Sequence, residues 1–362
     1  MSRIAILSPS LSRGDAVTND VLGMCDTLTR QGRDVRVFAE THNLKSHRVL
    51  SAAKIEGFLR SPDDLLIYHH ARGWRPGLQI LHAVACRKVV KYHNVTPARF
   101  FSGFSSTDEM LCETGRAETK AVVDAQCDLY LADSAFNMSE LVSLGLEPEK
   151  CFVVPPFHHA DRLSSIKPDE TVLKRFNDGK ANILTVGRVV PNKGHLTLLE
   201  AFAAFHFNYN RDSRLIVVGK GGEGLSPYSR LVHRAVSALG LERAVVFTGE
   251  ASDAELSAYY SLADAFVIAS EHEGFCVPLV EAMARQLAIS AFASTAIPET
   301  VEDAGIIWPE RDPYLMAESL DAILTQRELR TALGLRGLRR YEAYFAPDKI
   351  ALTFTNALSQ LQ

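Results

Sequence analysis

The sequence predicts an α/β protein built from two doubly wound parallel-sheet domains. Three observations predict it. Short apolar runs alternate with helical patterns through the first third of the chain, the same alternation restarts near residue 180, and 362 residues are more than one hydrophobic core organises.

In the first half, apolar runs at 4–7, 35–38, 65–68, 88–92, 129–132 and 152–154 predict strands. Helical spacing predicts helices over 21–30, 77–85, 117–126 and 138–144. Pro155-Pro156 closes this half, and the polar stretch 161–180, which carries Pro168, predicts a linker holding one helix. In the second half, strands are expected at 183–186, 215–218, 245–247, 265–268 and 289–292. Helices are expected at 196–207, 228–239, 253–262, 278–285 and 314–324, followed by two more at 329–344 and 349–361 on either side of Pro347. The expected domains are 1–165, with a last helix over 346–362 packing back on it, and 166–345. Sheets of this kind bind ligands at the carboxyl ends of their strands, so a site is expected in a cleft between the two domains.

Composition narrows the function. Hydrophobic residues make up 47% and charged residues 23%, the balance of a packed globular chain. The net charge of −4 excludes a global basic field, and with it nucleic acid as the expected partner. The six cysteines include no Cys-x-x-Cys pair, which points away from a zinc ribbon or redox pair and fits a reducing compartment. The first apolar run stops at Ser8-Pro9, too short for a signal segment, and no run approaches the roughly 18 apolar residues of a membrane span. A cytoplasmic protein is expected, at most peripheral to the inner face of a membrane. The stretch 71–107 has no acidic residue and interleaves Arg72, Arg75, Arg87, Lys88, Lys91 and Arg99 with Trp74, Phe100, Phe101 and Phe104, so an anionic membrane is one expected partner.

Two loops carry chemistry. Ser270-Glu271-His272-Glu273-Gly274-Phe275-Cys276-Val277-Pro278 follows a buried strand and runs into a helix whose first turn accepts Pro278. The backbone N–H groups of Gly274, Phe275 and Cys276 then lie near a helix N-terminus, which attracts an anion. Glu273 on the loop and Glu281 one turn into the helix suit hydroxyl groups, each carboxylate accepting two hydrogen bonds. The second loop, Gly187-Arg188-Val189-Val190-Pro191-Asn192-Lys193-Gly194, sets a guanidinium fork and an ammonium side by side, a pairing fit for a diphosphate. Phosphate held by backbone and cations, with hydroxyls held by carboxylates, is the chemistry of a nucleotide sugar.

Together these residues resemble the retaining GT-B glycosyltransferases of family 4 (glycosyl transferases group 1), whose signature is a Gly-Arg…Lys-Gly loop followed by Glu-x7-Glu. Here those are Gly187, Arg188, Lys193, Gly194, Glu273 and Glu281. The resemblance is strongest over 183–300. It implies that Arg188 and Lys193 stabilise the departing nucleotide diphosphate, that Glu281 holds the ribose, and that Glu273 with the Gly274–Val277 backbone holds the transferred sugar. It implies a catalytic place for His93, in Lys91-Tyr92-His93-Asn94, and donor contacts at Gly14 and Gly219. It also implies a UDP- or GDP-linked hexose as donor, a glycan or lipid-linked saccharide as acceptor, and cell-surface polysaccharide assembly as the setting. Ser12-Arg13-Gly14-Asp15 stands where the family usually has Gly-Gly, Cys276 where it often has Gly, and Val154-Pro155-Pro156 where a Pro-Asn-Gly turn is usual.

No cofactor or metal is expected. The chain lacks His-Glu-x-x-His and Asp-x-Asp, and the adjacent pairs His69-His70 and His158-His159 do not share a helix face. Gly219-Lys220-Gly221-Gly222-Glu223-Gly224 matches a dinucleotide fingerprint, so an NAD-dependent oxidoreductase is the rival reading. Against it, Pro227 delays the helix and Glu250 lies farther on than the usual ~20 residues. A nucleotide-sugar epimerase of the same architecture is the other alternative, although no acid–base pair stands out.

Overall fold

The computed structural model describes residues 2–45, 47–221 and 227–361. The chain divides into two compact units, Met1–Arg99 with Thr107–His158 and Pro347–Gln362, and Phe100–Ser106 with His159–Ala346. Each is built on one parallel sheet.

The first unit holds β1 (Arg3–Leu11), β2 (Asp34–His42), β3 (Val49–Ser51), β4 (Leu65–His70), β5 (Arg87–Tyr92), β6 (Leu129–Ala132) and β7 (Cys151–Val153). They lie in the order β3-β2-β1-β4-β5-β6-β7. The second holds β8 (Ala181–Val186), β9 (Ser213–Val218), β10 (Val245–Gly249), β11 (Ala265–Ile268), β12 (Ile289–Phe292) and β13 (Gly305–Trp308), in the order β10-β9-β8-β11-β12-β13. Both orders are doubly wound: the chain works outward from the first strand to one edge, then returns and works outward to the other. Strand alternation explains the cores. Along β11, Ala265 and Val267 pack into one apolar layer while Phe266 and Ile268 pack into the other. Leu66 and Tyr68 against Leu65 and Ile67 divide β4 in the same way. A sheet covered on both faces needs apolar residues at every position, which is why these strands read as unbroken hydrophobic runs.

The expected strands are present, and two more join them. β3 is three residues long and β13 opens on a glycine, so neither carries a run long enough to read. Helix starts lie upstream of their apolar patterns because polar caps set them. Asp15 accepts the Thr18 N–H at 3.0 Å and begins Ala16–Arg30. The helix expected from 117 begins at Ser106, with Asp108 and Glu109 in its first turn, where acidic groups favour the dipole. The stretch 161–180 holds two helices, Ala160–Ser165 and Glu170–Phe176, the second capped by Asp169. Arg327–Arg340 ends in a widened turn, Tyr341–Phe345, ahead of Pro347. The last helix, Pro347–Leu358, packs Ile350 and Phe354 into the first unit's core, with the Phe354 ring edge-on to Phe157 at 5.9 Å.

The basic, aromatic stretch does not form one surface. Lys91 is wholly buried, Trp74 and Phe101 are nearly so, and Phe104 packs edge-on against Tyr228. No helix of the described residues is long and apolar enough to cross a membrane.

His70 and His195 are buried, and burial pushes both imidazoles down to about 4. They stay neutral in the folded chain while the unfolded chain protonates near 6.5. Their contribution to stability is therefore complete above pH 6.5 and is lost as the pH falls toward 4. Thermal unfolding across this window is expected to show a falling midpoint, and His195→Asn is expected to make the fall shallower than in wild type.

Candidate functional site

In the six-stranded sheet, β8 and β11 are neighbours, but the chain leaves them toward opposite edges. The loops that follow these two strands therefore diverge at the switch point and frame a crevice at the strands' carboxyl ends. Both loops singled out in the sequence lie there.

The start of the loop after β8 is held by its backbone. The Gly187 N–H donates to the Val218 carbonyl at 2.9 Å and the Val189 N–H to the Lys220 carbonyl at 3.0 Å. Gly219 has φ +151°, and a Cβ there would sit 1.9 Å from the Gly187 carbonyl oxygen. Its glycine is thus explained by close packing of two loops. Gly222, Glu223 and Gly224 of the dinucleotide-like run lie outside the described residues. At the loop's other end Gly194 adopts φ +64°, where a Cβ would fall 2.0 Å from the Ala269 carbonyl oxygen. That approach fixes Lys193 beside the end of β11.

The loop after β11 is tied on two sides. The Asn192 side-chain amide donates to the His272 carbonyl at 3.1 Å, and the Glu271 N–H donates to the Asn192 carbonyl at 2.8 Å. The Thr295 hydroxyl oxygen accepts the Glu273 N–H and donates to the Glu273 carbonyl, both at 2.8 Å. The Thr300 hydroxyl donates to the Phe275 carbonyl at 3.0 Å. Cys276 then caps the helix Val277–Ala284 in the left-handed conformation, φ 78° and ψ 71°. A non-glycine residue in that region costs about 1–3 kcal/mol unless its surroundings impose it. Here Phe275 and Cys276 are both buried in the apolar layer beneath. Burial also pushes the Cys276 thiol well above its ordinary value, which removes it as a nucleophile. No described residue accepts a hydrogen bond from the backbone N–H groups of Gly274, Phe275, Cys276 or Val277, the free donors of a helix start.

Across the crevice the Lys193 ammonium donates to Glu273 Oε1 at 2.6 Å, with the lysine side chain 21% exposed and the glutamate 9%. Arg188 is exposed, and its guanidinium is engaged by no described residue. Glu281 accepts the Tyr260 hydroxyl at 2.7 Å; burial pushes its carboxyl up while this hydrogen bond opposes the shift. The structure thus gathers Gly187, Arg188, Lys193, Glu273, Gly274, Phe275 and Cys276 on two adjoining loops, with Val277 and Glu281 in the helix that follows and Gly219 packed against Gly187 from the loop after β9. It adds residues that sequence reasoning missed. Asn192 lay within a quoted loop but had no role. Thr295, Thr300 and Tyr260 stand 22, 25 and 21 positions from the residues they bond, and no local pattern marks them.

Gly14 and His93 belong to the first unit. Gly14 has φ +79° in the turn before Asp15, with open space where a Cβ would be. The two ring nitrogens of His93 both face other side chains. Nδ1 lies 3.0 Å from Asp133 Oδ2 and Nε2 lies 2.8 Å from His69 Nδ1. The Lys91 ammonium, fully buried, pairs with Asp133 Oδ1 at 2.6 Å and donates to the Val154 carbonyl. Burial opposes ionisation of Asp133, but the charges of His93 and Lys91 outweigh it and hold that carboxyl below its usual range. Burial pushes Asp20 the other way, with Lys91 offsetting only part. His93 therefore offers a ligand no free nitrogen in this arrangement.

Residues 168–340, nearly the whole second unit, match the profile of glycosyl transferases group 1 and belong to that family. The D-inositol 3-phosphate glycosyltransferase of Frankia alni is 29% identical over 284 residues, covering 75% of this chain and 69% of that protein. The mannosylfructose-phosphate synthase of Agrobacterium fabrum is 28% identical over 177 residues, 47% of this chain and 38% of that one. This chain spans about half the length of the curated relatives it matches. Among solved structures, sucrose-phosphate synthase from Thermosynechococcus elongatus superposes with a TM-score of 0.79 at 21% identity, covering 100% of this chain and 99% of that one. HepE of Anabaena, solved with UDP and glucose, gives 0.79 at 17% identity over the whole of both chains. These likenesses establish the fold, two Rossmann-like parallel-sheet domains of the GT-B kind.

Gly194→Ala forces a Cβ into the Ala269 carbonyl. It is expected to cost about 1–3 kcal/mol or more of stability, read as a lower midpoint in urea denaturation, and to dislodge Lys193.

Proposed function

We propose that this chain, whose residues 168–340 belong to glycosyl transferases group 1, is a retaining, metal-independent glycosyltransferase. It moves a hexose-type sugar from a UDP- or GDP-sugar to a glycan or lipid-linked saccharide, in cell-surface polysaccharide assembly. One observation carries the reading: two loops at one switch point set cations, free backbone N–H groups and carboxylates around a single crevice, with Lys193 and Glu273 in direct contact at 2.6 Å.

A diphosphate entering the crevice meets the Arg188 fork, the Lys193 ammonium and the N–H groups ahead of Val277–Ala284. Lys193 then exchanges Glu273 for phosphate oxygen. That exchange frees the Glu273 carboxylate for sugar hydroxyls, so the resting ion pair keeps each group desolvated and aimed until the donor arrives. Glu281, pinned by Tyr260, accepts from the ribose hydroxyls. The Cys276 thiol is suppressed, and the two carboxylates are assigned to sugar and ribose hydroxyls rather than to attack on the sugar. The fitting mechanism is attack by the acceptor hydroxyl on the face the diphosphate leaves, with the departing phosphate oxygen taking the acceptor's proton. Catalysis is then electrostatic stabilisation of the leaving group together with positioning. The seven-stranded unit is assigned the acceptor, with His93 ordering the loop after β5. Gly219, occupied by packing against Gly187, weighs against the NAD-dependent alternative.

Removing one charge-stabilising donor typically lowers kcat by about 10²–10³. Lys193→Ala and Arg188→Ala are each expected to fall in that range in folded protein, and near-normal turnover in either would overturn the reading. Glu281→Ala is expected to weaken UDP or GDP binding in calorimetry by more than it lowers kcat. Melting-point shifts with UDP, GDP, their sugar conjugates and NAD, without added metal, test the class of donor; a shift with NAD alone rejects it.

A further inference from the structure

The first unit contains a polar cluster that the donor loops do not use. Asp20 lies on the helix Ala16–Arg30, His69 on β4, and His93 directly after β5. His69 Nδ1 is 2.8 Å from His93 Nε2, Asp20 Oδ2 is 3.6 Å from His93 Nε2, and Asp20 Oδ2 is 3.9 Å from His69 Nδ1. A triangle with those sides has a point in its plane about 2.0 Å from every corner. That is the distance at which imidazole nitrogen and carboxylate oxygen bind Zn²⁺, about 2.0–2.2 Å. The Asp20 and His69 side chains are completely buried, and Asp20 Oδ2 has no hydrogen-bond partner among the described residues.

The surroundings match a built site. Asp20 Oδ1 accepts the Phe157 N–H at 2.8 Å, which turns Oδ2 toward the imidazoles. His93 Nδ1 faces Asp133 Oδ2 at 3.0 Å, the carboxylate–imidazole pairing that orients a ligating histidine. Lys91 sits 2.6 Å from Asp133 but 3.9 Å from Asp20. The nearest group that can carry positive charge toward Asp20 is the His93 imidazole, its Nε2 3.6 Å from Oδ2 and 2.8 Å from His69 Nδ1. A cation at the centre of the triangle stands closer to the buried carboxylate than either, where compensation of a buried charge matters most.

We propose that Asp20, His69 and His93 bind one divalent transition-metal ion of the Zn²⁺ type. Two imidazoles and one carboxylate favour such an ion over Mg²⁺ or Ca²⁺, which take oxygen ligands. Three protein ligands leave a coordination position for water. The ion is structural: it ties the first helix to the ends of β4 and β5 and has no part in sugar transfer. In its absence the hydrogen bond between the two imidazoles closes the gap.

The test uses untagged full-length chain, stripped with chelator, dialysed and titrated with Zn²⁺ alone. Elemental analysis and calorimetry are expected to find one equivalent bound, with a rise in melting point. Asp20→Asn and His69→Gln are each expected to lose that equivalent, and Asp133→Asn to weaken it by about 10–100-fold. His42→Gln, on the exposed end of β2, is expected to keep it. No Zn²⁺ bound by wild type at micromolar concentration, or equal binding by wild type, Asp20→Asn and His69→Gln, overturns the proposal. Should the variants fail to fold, wild type with Co²⁺ decides: the intense visible absorption of a low-coordinate nitrogen and oxygen site supports it, and the weak spectrum of the hydrated ion rejects it.

Discussion

The close approach of the loop after β8 to the end of β11 is the constraint on which the donor site depends. Gly194 brings its backbone against the Ala269 carbonyl where no side chain fits. Asn192, two residues earlier, then reaches both Glu271 and His272. Lys193 lies between these anchors, so its contact with Glu273 is set by backbone packing as much as by charge. Glu273 is fixed in turn from the far side by Thr295. A lysine on a flexible four-carbon stem needs such support to act as a positioned charge.

Cys276 shows how firmly this frame is held. A side chain in the left-handed region is unfavourable, yet its thiol is sunk among apolar neighbours and the following helix begins at once. The strain has a consequence for binding. It turns several successive N–H groups of the loop away from internal partners, leaving them as donors to an anion. Tyr260 gives Glu281 the same discipline through one partly buried hydrogen bond.

The first unit handles charge differently. Lys91, read in the sequence as part of a basic surface, is buried and paired with Asp133. Strand alternation explains the change: β4 and β5 run side by side with His69 opposite Lys91 and His70 opposite Tyr92. Neighbouring residues on a strand face opposite ways. His69 therefore leaves His70 and meets His93 at 2.8 Å, while His70 meets Thr119 at 2.9 Å. His69 and His70 are therefore no local pair: His69 finds its partner just past the end of the adjacent strand.

The sequence by itself determined the parallel sheets, because strands covered on both faces must be apolar throughout, and it determined the two loops, because Gly, Pro, Arg, Lys and Glu each carry their chemistry locally. It also pointed to Gly187, Lys193, Glu273 and Glu281 as one set. Elements whose signal is short or polar escaped it: β3 with three residues, β13 beginning on Gly305, and the first turns of Ser106–Asp124. Only the tertiary structure decided which distant residues brace those loops, as Thr295, Thr300 and Tyr260 do. It alone decided that both nitrogens of His93 face other side chains, and that Asp20, His69 and His93 converge. The physical reason is the same in each case: spacing along the chain encodes which face a residue takes, whereas the partner on that face is supplied by strand order and register.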